Sequence, residues 1–211
     1  MKKIALFGAS GLTGQLVLQK LLASGYTIQA LVRTPEKIQE KNLSLKVIKG
    51  DVLNKADVEN TVKGCDVIIS LFGHVKNSPE WLQTNGTINI AEAMKKNNIQ
   101  KIISISGGGL PYPQKDEPKF ADKLIRTIMK IVVPKILNDA IKHAEILKNS
   151  NLNWIIARAP RLNNNPAIGT YRVGWVGVNA STKISRADFA DFILTQIEDN
   201  SFLKQMPFVS N

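Results

Sequence analysis

The opening fourteen residues constrain the fold of this chain more than any other stretch. Ile4, Ala5, Leu6 and Phe7 form a short apolar run that reads as a buried strand, and Gly8-Ala9-Ser10-Gly11-Leu12-Thr13-Gly14 follows at once. Leu16, Val17, Lys20, Leu21 and Leu22 then recur at helical spacing, so the segment reads strand, glycine turn, helix. Each glycine has its own part in such a unit. Gly8 takes the backbone angles of a tight turn, Gly11 lacks the side chain that would keep a phosphate off the backbone, and Gly14 lets the helix pack closely on the strand. The helix start, with unpaired N–H groups and a positive dipole end, suits a pyrophosphate, and the hydroxyls of Ser10 and Thr13 are further donors. The spacing Gly-x-x-Gly-x-x-Gly is one residue longer than the commonest dinucleotide fingerprint. An ordinary turn with a capping serine is the plain alternative.

Downstream, the β-branched run Thr27 to Val32 predicts a second parallel strand, ending in Arg33-Thr34-Pro35. An NAD-preferring unit carries Asp or Glu at this strand end to accept a ribose 2′-hydroxyl; Arg33 stands there instead, with Lys37 one helical turn on, and suits a 2′-phosphate. Leu45 to Lys49 make a third strand, followed at the sheet's carboxyl edge by Gly50-Asp51-Val52, where an adenine ring would lie. Asp51 either accepts from the adenine amino group or serves as a turn residue or helix cap. A helix over Lys55 to Lys63 leads to a fourth strand, Val67 to Gly73, too apolar to have a solvent face. Gly73 at its end lets the backbone approach a cofactor, and His74 reads as a loop histidine. A helix over Asn85 to Asn97, with Ile88, Ala91 and Ala93 inward, delivers a fifth strand, Lys101 to Ser106, which runs into Gly107-Gly108-Gly109. Ser106 at that edge either bonds a nicotinamide amide or substrate oxygen, or belongs to a Ser-Gly turn. The alternation predicts an α/β, Rossmann-type doubly wound fold. Its sheet is mostly parallel, with helices on both faces in one domain over residues 1–211 and a ligand crevice at the strand carboxyl ends.

From Leu110 to Val133 the alternation breaks. Pro111, Pro113 and Pro118 bound an irregular loop, after which Phe120, Leu124, Ile128 and Ile131 line one helical face, widened by Ile125, Met129, Val132 and Ile136. Lys119, Lys123, Arg126 and Lys130 fill the remainder. Such a stretch packs over the crevice as a substrate wall, joins two subunits, or lies on a membrane surface. Pro134 ends or kinks it before a helix over Lys135 to Asn149. Asn153 to Ala157 predict a sixth strand, with Arg158-Ala159-Pro160-Arg161-Leu162 leaving its carboxyl edge and a loop at Asn163 to Pro166. Tyr171 to Val178 suit a small strand or hairpin. Ser185 is a candidate N-cap for the last long helix, with Asp188 as its partner, and Met206 to Val209 a closing strand.

Composition narrows the remaining choices. A chain of 211 residues with 44% hydrophobic content buries one good core. No apolar run reaches the roughly eighteen residues of a membrane span, and the first strand begins without a leader-like segment, so a cytoplasmic location is expected. Cys65, the single cysteine, has no partner for a disulfide and no second thiol to share a metal, so no metal site is expected. The net charge of +11 admits nucleic acid, an anionic membrane or an anionic cofactor. Scattered lysines and only 6% aromatic residues argue against nucleic acid and for a solvated basic surface.

These segments together resemble the atypical short-chain dehydrogenase/reductases of the NAD(P)H-binding group, which includes the NmrA-like proteins and, closer still, biliverdin reductase B, also called flavin reductase. The resemblance covers nearly the whole length. It rests on Gly8 to Gly14, Leu31-Val32-Arg33, Gly50 to Leu53, Asp66 to Gly73, Trp154 to Pro160 and Ile184 to Phe192. It implies that Ser10, Leu12 and Thr13 touch the pyrophosphate, Arg33 and Lys37 the 2′-phosphate, Asp51 and Val52 the adenine, and Leu71, Phe72 and Gly73 the adenosine side. Ser104 is counted with these NADP(H)-binding residues, and Ser106 stands near the nicotinamide. The flavin reductase relative has a histidine after the proline that leaves the sixth strand; this chain has Arg161 there, which either holds an acidic substrate group or pairs with phosphates or a carboxylate. None of Tyr26, Tyr112 and Tyr171 has a lysine four residues on, so the Tyr-x-x-x-Lys pair of the wider superfamily is missing. The implied function is NADPH-dependent reduction of a small conjugated acceptor such as a flavin or quinone, with Ser106 and Arg161 at the reaction site, in a monomer or homodimer. The alternative is a non-catalytic NADP(H)-binding sensor.

Overall fold

The computed structural model describes all 211 residues. Strand β1 (Lys3–Phe7) lies between β2 (Thr27–Val32) and β4 (Val67–Ser70), with Phe7 opposite Leu31 on one side and Ser70 on the other. Beyond β2 lies β3 (Leu45–Lys49). Beyond β4 lie β5 (Lys101–Gly107), β6 (Asn153–Ala159), β10 (Phe208–Ser210) and β8 (Arg172–Gly174), giving an eight-stranded sheet in the order β3-β2-β1-β4-β5-β6-β10-β8. Only the β10–β8 pairing is antiparallel. The connections reverse direction between β1 and β4, the place where a doubly wound sheet opens a crevice at its carboxyl edge.

Alternation along β1 explains why two layers of helix are needed. Ile4 and Leu6 pack with Leu18 and Leu21 of α1 (Leu12–Ala23) and Phe189 and Phe192 of α6 (Arg186–Thr195). Ala5 and Phe7 turn the other way, toward Val58 of α2 (Lys55–Val62), Ile90 and Met94 of α3 (Leu82–Lys96) and Leu147 of α5 (Pro134–Lys148). A strand buried on both faces has no polar side, hence the unbroken apolar run. Each large side chain so buried contributes about 1.5–3 kcal/mol. Helix α1 stops where Gly25, at φ 81°, lets the Tyr26 N–H reach back to the Leu21 carbonyl and its own N–H to that of Leu22.

Departures from the sequence expectations have local causes. Strand β4 ends at Ser70, not Gly73. Helix α3 starts at Leu82, a turn before Asn85, because the Asp139 carboxylate accepts from the N–H groups of Gln83 and Thr84, both at 2.8 Å. Its inward face carries Ile90, Ala93 and Met94, whereas Ile88 is exposed. Strand β6 continues through Arg158 to Ala159 rather than ending at Ala157. Beyond it, β7 (Arg161–Asn163) and β9 (Lys183–Ser185) form a small parallel sheet that was not expected. The glycine-punctuated segment supplies β8 and a Trp175–Val178 bridge. Ser185 caps α6 by accepting from the Asp188 N–H at 3.0 Å, and its hydroxyl donates to the Asp188 carboxylate at 2.7 Å, as the pairing predicts; the same carboxylate also accepts from the Ile168 and Gly169 N–H groups. Pro134 opens α5 directly after α4 (Phe120–Val132). No helix is long and apolar enough to cross a membrane.

Candidate functional site

The β1–α1 turn behaves as its glycines require. Gly8 sits at φ 85°, and a Cβ on it would meet the Leu71 carbonyl carbon at 2.7 Å; one on Gly14 would overlap the Gly8 carbonyl oxygen. Gly11 differs. Its backbone is extended, and a Cβ there would touch only the Gly8 oxygen at 3.4 Å, so nothing within the protein demands a glycine. Helix α1 is also uncapped: no side chain accepts from its first N–H groups and no acidic residue stands in its first turn. By contrast, Asn54 caps α2, Asp139 caps α3 and Ser185 caps α6. An open approach at Gly11 beside unpaired helix N–H groups fits a diphosphate.

A crevice of about 100 Å³ runs from this turn across the ends of β1 to β4. Gly8, Ser10, Arg33, Asp51, Val52, Phe72 and Gly73 line it, joined by Phe7, Leu31, Val32, Gly50 and Leu82. Asp51 is neither cap nor idle: its Oδ1 accepts from the Leu53 N–H at 2.9 Å, while its own N–H is held by Asp57. Phe72 is seated by Gly86 of α3, where any Cβ would strike the ring. Other expected residues fall elsewhere. Leu12 is exposed at the helix start and Thr13 is buried under it, while Leu71 is buried with its N–H on the Phe7 carbonyl. Lys37, in a single turn of tight helix, faces a separate groove with Gln15, Gln19 and Glu40, not the Arg33 crevice. Ser104 is buried, and its hydroxyl lies 3.1 Å from His143 Nε2, so it cannot reach a ligand in the crevice.

A second, larger cavity of about 400 Å³ lies beyond the ends of β5 and β6. Gly107, Gly108 and Gly109 form its floor, Pro160, Arg161 and Phe208 one side, and Ile125, Arg126 and Met129 of α4 the other, with Ser181 and Thr182 at the rim. Part of α4 therefore walls this cavity. Ser106 stands one residue before its floor, and the Ser106 Oγ is buried without any hydrogen-bond partner. A buried hydroxyl with nothing to bond is costly, and Ser106 is among the lining residues of neither the crevice nor the cavity. None of the three tyrosines lines the cavity; Tyr112 packs against Trp175 and beneath the Arg158 guanidinium.

Two buried polar networks support these walls. Arg158, wholly buried, pairs in bidentate fashion with Asp116 at 2.9 and 2.7 Å and donates to the Met206 and Leu110 carbonyls. Burial alone would raise the Asp116 pKa, but the Arg158 pair and the Tyr112 and Val176 N–H groups hold it below the usual carboxylate range. On the same face of the sheet, Asp139 bonds His74 as well as capping α3, so His74 is a loop histidine tied to the core. One turn on, His143 bridges the hydroxyls of Thr87, at 2.7 Å, and Ser104. Cys65 is buried beside Gln29, and burial pushes its thiol up. Sequence reasoning passed over Arg158, Asp139 and His143. The available signals were a charge inside an apolar strand, and Asp139 and His143 four apart on the inward stripe of Leu137, Ala140, Ala144 and Leu147.

Burial lowers the His143 pKa to about 4, opposed only in part by the Asp139 charge. The folded protein thus keeps this ring neutral where an unfolded chain protonates it near pH 6.5. Its contribution is complete above pH 6.5 and is lost as pH falls toward 4, about 3 kcal/mol in all. The carboxylates begin to lose theirs only near their ordinary pKa of about 3.9. Urea midpoints at pH 7, 5.5 and 4.5 should fall for the wild type and stay nearly level for His143→Gln; parallel curves would exclude the assignment.

Comparison with known proteins identifies the family of the chain. A family of proteins described as NAD(P)H-binding matches residues 8–200. The chain belongs to that family. An uncharacterized chloroplastic protein of Arabidopsis thaliana is 26% identical over 80% of the chain, and the chain spans only 62% of that relative's length. A short-chain dehydrogenase/reductase of Veillonella parvula in complex with NADP has the same fold, with TM-score 0.78 and 21% identity over 100% of this chain and 94% of that one. ChuY, an anaerobillin reductase from Escherichia coli O157:H7, gives TM-score 0.78 and 18% identity over 99% and 96%. Both structures share the Rossmann-like architecture described above.

Proposed function

We propose that this NAD(P)H-binding protein is an NADPH-dependent reductase of a small conjugated acceptor of the flavin or quinone type. The observation that carries the reading is the pairing of an Arg33-lined nucleotide crevice with a separate cavity, across the Ser106–Gly109 strand end, that contains no tyrosine acid. When bound, the dinucleotide supplies the hydride. The chain's own part is placement: α1 and Gly11 receive the diphosphate, Phe72 and Val52 hold the adenine side, and Ser106 satisfies its orphaned hydroxyl on the carboxamide or the acceptor. Arg161 and Arg126 hold an acidic group, or the charge that develops on the acceptor. An acceptor whose reduced form is already stabilised by conjugation needs no tyrosine acid, which suits a cavity whose one acidic side chain is Asp122. The reductase named among the structural neighbours supports a small acceptor. The resemblance to flavin reductase sharpens it, while Arg161 in place of that relative's histidine points to a different acceptor.

Charge-assisted hydrogen bonds of about 1.5–3 kcal/mol correspond to a roughly tenfold to hundredfold preference for NADPH over NADH. Fluorescence titrations should show that preference in the wild type and its loss in Arg33→Ala, with NADH affinity unchanged. Equal wild-type affinity for the two dinucleotides would remove the NADPH assignment. The absence of a cavity tyrosine also favours a second reading, a non-catalytic NADP(H)-binding sensor of the NmrA-like kind. Tight NADPH binding with no turnover on flavin and quinone panels would select it.

A further inference from the structure

Helix α4 has no buried residue. Its inner edge meets the protein through Met129, packed on Gly109, and through Arg126, whose guanidinium reaches Asp116 at 3.5 Å. Apart from Ile125, which lines the cavity, the remaining large apolar residues face outward. Phe120 is 83% exposed and Ile131 75%, and Leu124, Ile128 and Val132 join them at helical spacing into one continuous stripe, extended into α5 by Ile136. A monomer rarely leaves an apolar stripe of this kind without a partner. Lys119, Lys123 and Lys130 run along its edge, exposed and without an acidic neighbour in salt-bridge range; the one acid of the helix, Asp122, is engaged by the Lys119 N–H.

We propose that α4 seats this protein peripherally on an anionic lipid bilayer, with Phe120, Leu124, Ile128 and Ile131 in the acyl boundary and the lysines among the headgroups. An apolar face flanked by lysines is the form of an interfacial helix. Charge selects the occupant. Two copies meeting face to face would bring together two chains each of net charge +11, whereas an anionic surface neutralises the exposed lysines. The cavity wall of Ile125 and Met129 belongs to the same helix, so a docked molecule would present its acceptor cavity beside the membrane. The docking inference stands on α4 alone and does not depend on which acceptor is reduced.

Co-sedimentation of the full chain with vesicles tests it. Phosphatidylcholine vesicles carrying about one-third phosphatidylglycerol should capture the protein at least tenfold better than phosphatidylcholine alone, and 0.5 M salt should reverse the difference. Each lysine removed should weaken capture about fivefold, so Lys123→Ala with Lys130→Ala should give about a twenty-fivefold loss. Leu124→Ser with Ile128→Ser should abolish capture while NADPH affinity stays at its wild-type value, because both side chains are half exposed and neither lines the crevice or the cavity. Phe120→Trp should show a blue-shifted emission on the anionic vesicles. Wild type that ignores anionic vesicles would overturn the proposal, as would a concentration-dependent dimer in sedimentation equilibrium that Ile128→Ser dissociates, since a second copy would then cover the stripe.

Discussion

Replacing Asp116 with alanine is expected to destabilise the fold by about 3–5 kcal/mol, a large share of the stability of an ordinary domain. Asp116 and Arg158 lie 42 residues apart in sequence, and their pair is buried on both sides. Besides Arg158, the carboxylate receives the Tyr112 N–H at 2.8 Å and the Val176 N–H at 3.2 Å. The guanidinium meanwhile donates to Met206 at 2.8 Å and Leu110 at 2.9 Å. The pair therefore ties the proline-bounded loop, the turn after β8 and the approach to β10 onto β6, and these segments carry walls of the larger cavity. Alanine leaves a full positive charge buried opposite two unpaired backbone donors, with the Met206 and Leu110 carbonyls as its remaining partners. Arg158→Met leaves the carboxylate instead, which can take up a proton, so its loss should be smaller at pH 5 than at pH 8. The double variant Arg158→Met with Asp116→Leu removes both charges and should cost less than Asp116→Ala alone. Urea unfolding at pH 7 with unchanged m-value measures all three. A loss below about 1 kcal/mol for Asp116→Ala would mean that the pair is not what holds the loop.

How much of this was readable in the chain follows from the range of the forces involved. Strands β2 and β3 fall on the expected residues, and Gly8 and Gly14 have the expected turn and packing roles, because each depends on neighbours a few residues away. The gathering of Arg33, Asp51 and Phe72 in one crevice was legible too, since a right-handed parallel sheet sends every strand end to the same edge. What failed involves polar groups whose partners lie far off in sequence. Ser104 was counted with the cofactor, but His143, 39 residues on, draws its hydroxyl inward. Lys37, placed with Arg33 at the 2′-phosphate, stands in a single tight turn and lines the neighbouring groove with Gln15 and Gln19. Arg158, expected to leave the carboxyl edge of the sixth strand, stays inside it because Asp116, 42 residues away, pairs with it. Periodicity finds the layers; it does not find which distant acceptor permits a charge to be buried.

Gly11→Asp should separate the nucleotide site from the fold more cleanly than any other single change, raising stability while NADPH affinity falls at least a hundredfold. Gly11 occupies the N-cap of α1 with φ −79° and ψ 164°, angles open to any residue, and a Cβ there meets no atom closer than 3.4 Å. An aspartate at an N-cap accepts from the helix N–H groups and interacts favourably with the dipole, worth a few tenths of a kcal/mol over glycine and up to about 1 kcal/mol at low ionic strength. That same carboxylate then occupies the place proposed for the diphosphate. Two unit charges about 4 Å apart repel by ~4 kcal/mol at an effective dielectric of 20, more than enough for a hundredfold loss of binding. Gly14→Val provides the contrast: its side chain would overlap the Gly8 carbonyl oxygen, so helix and strand must part and both stability and binding should fail together. Thermal unfolding with and without NADPH reads both variants. If Gly11→Asp keeps wild-type affinity, the diphosphate does not sit at this helix start, and the crevice must be entered from elsewhere.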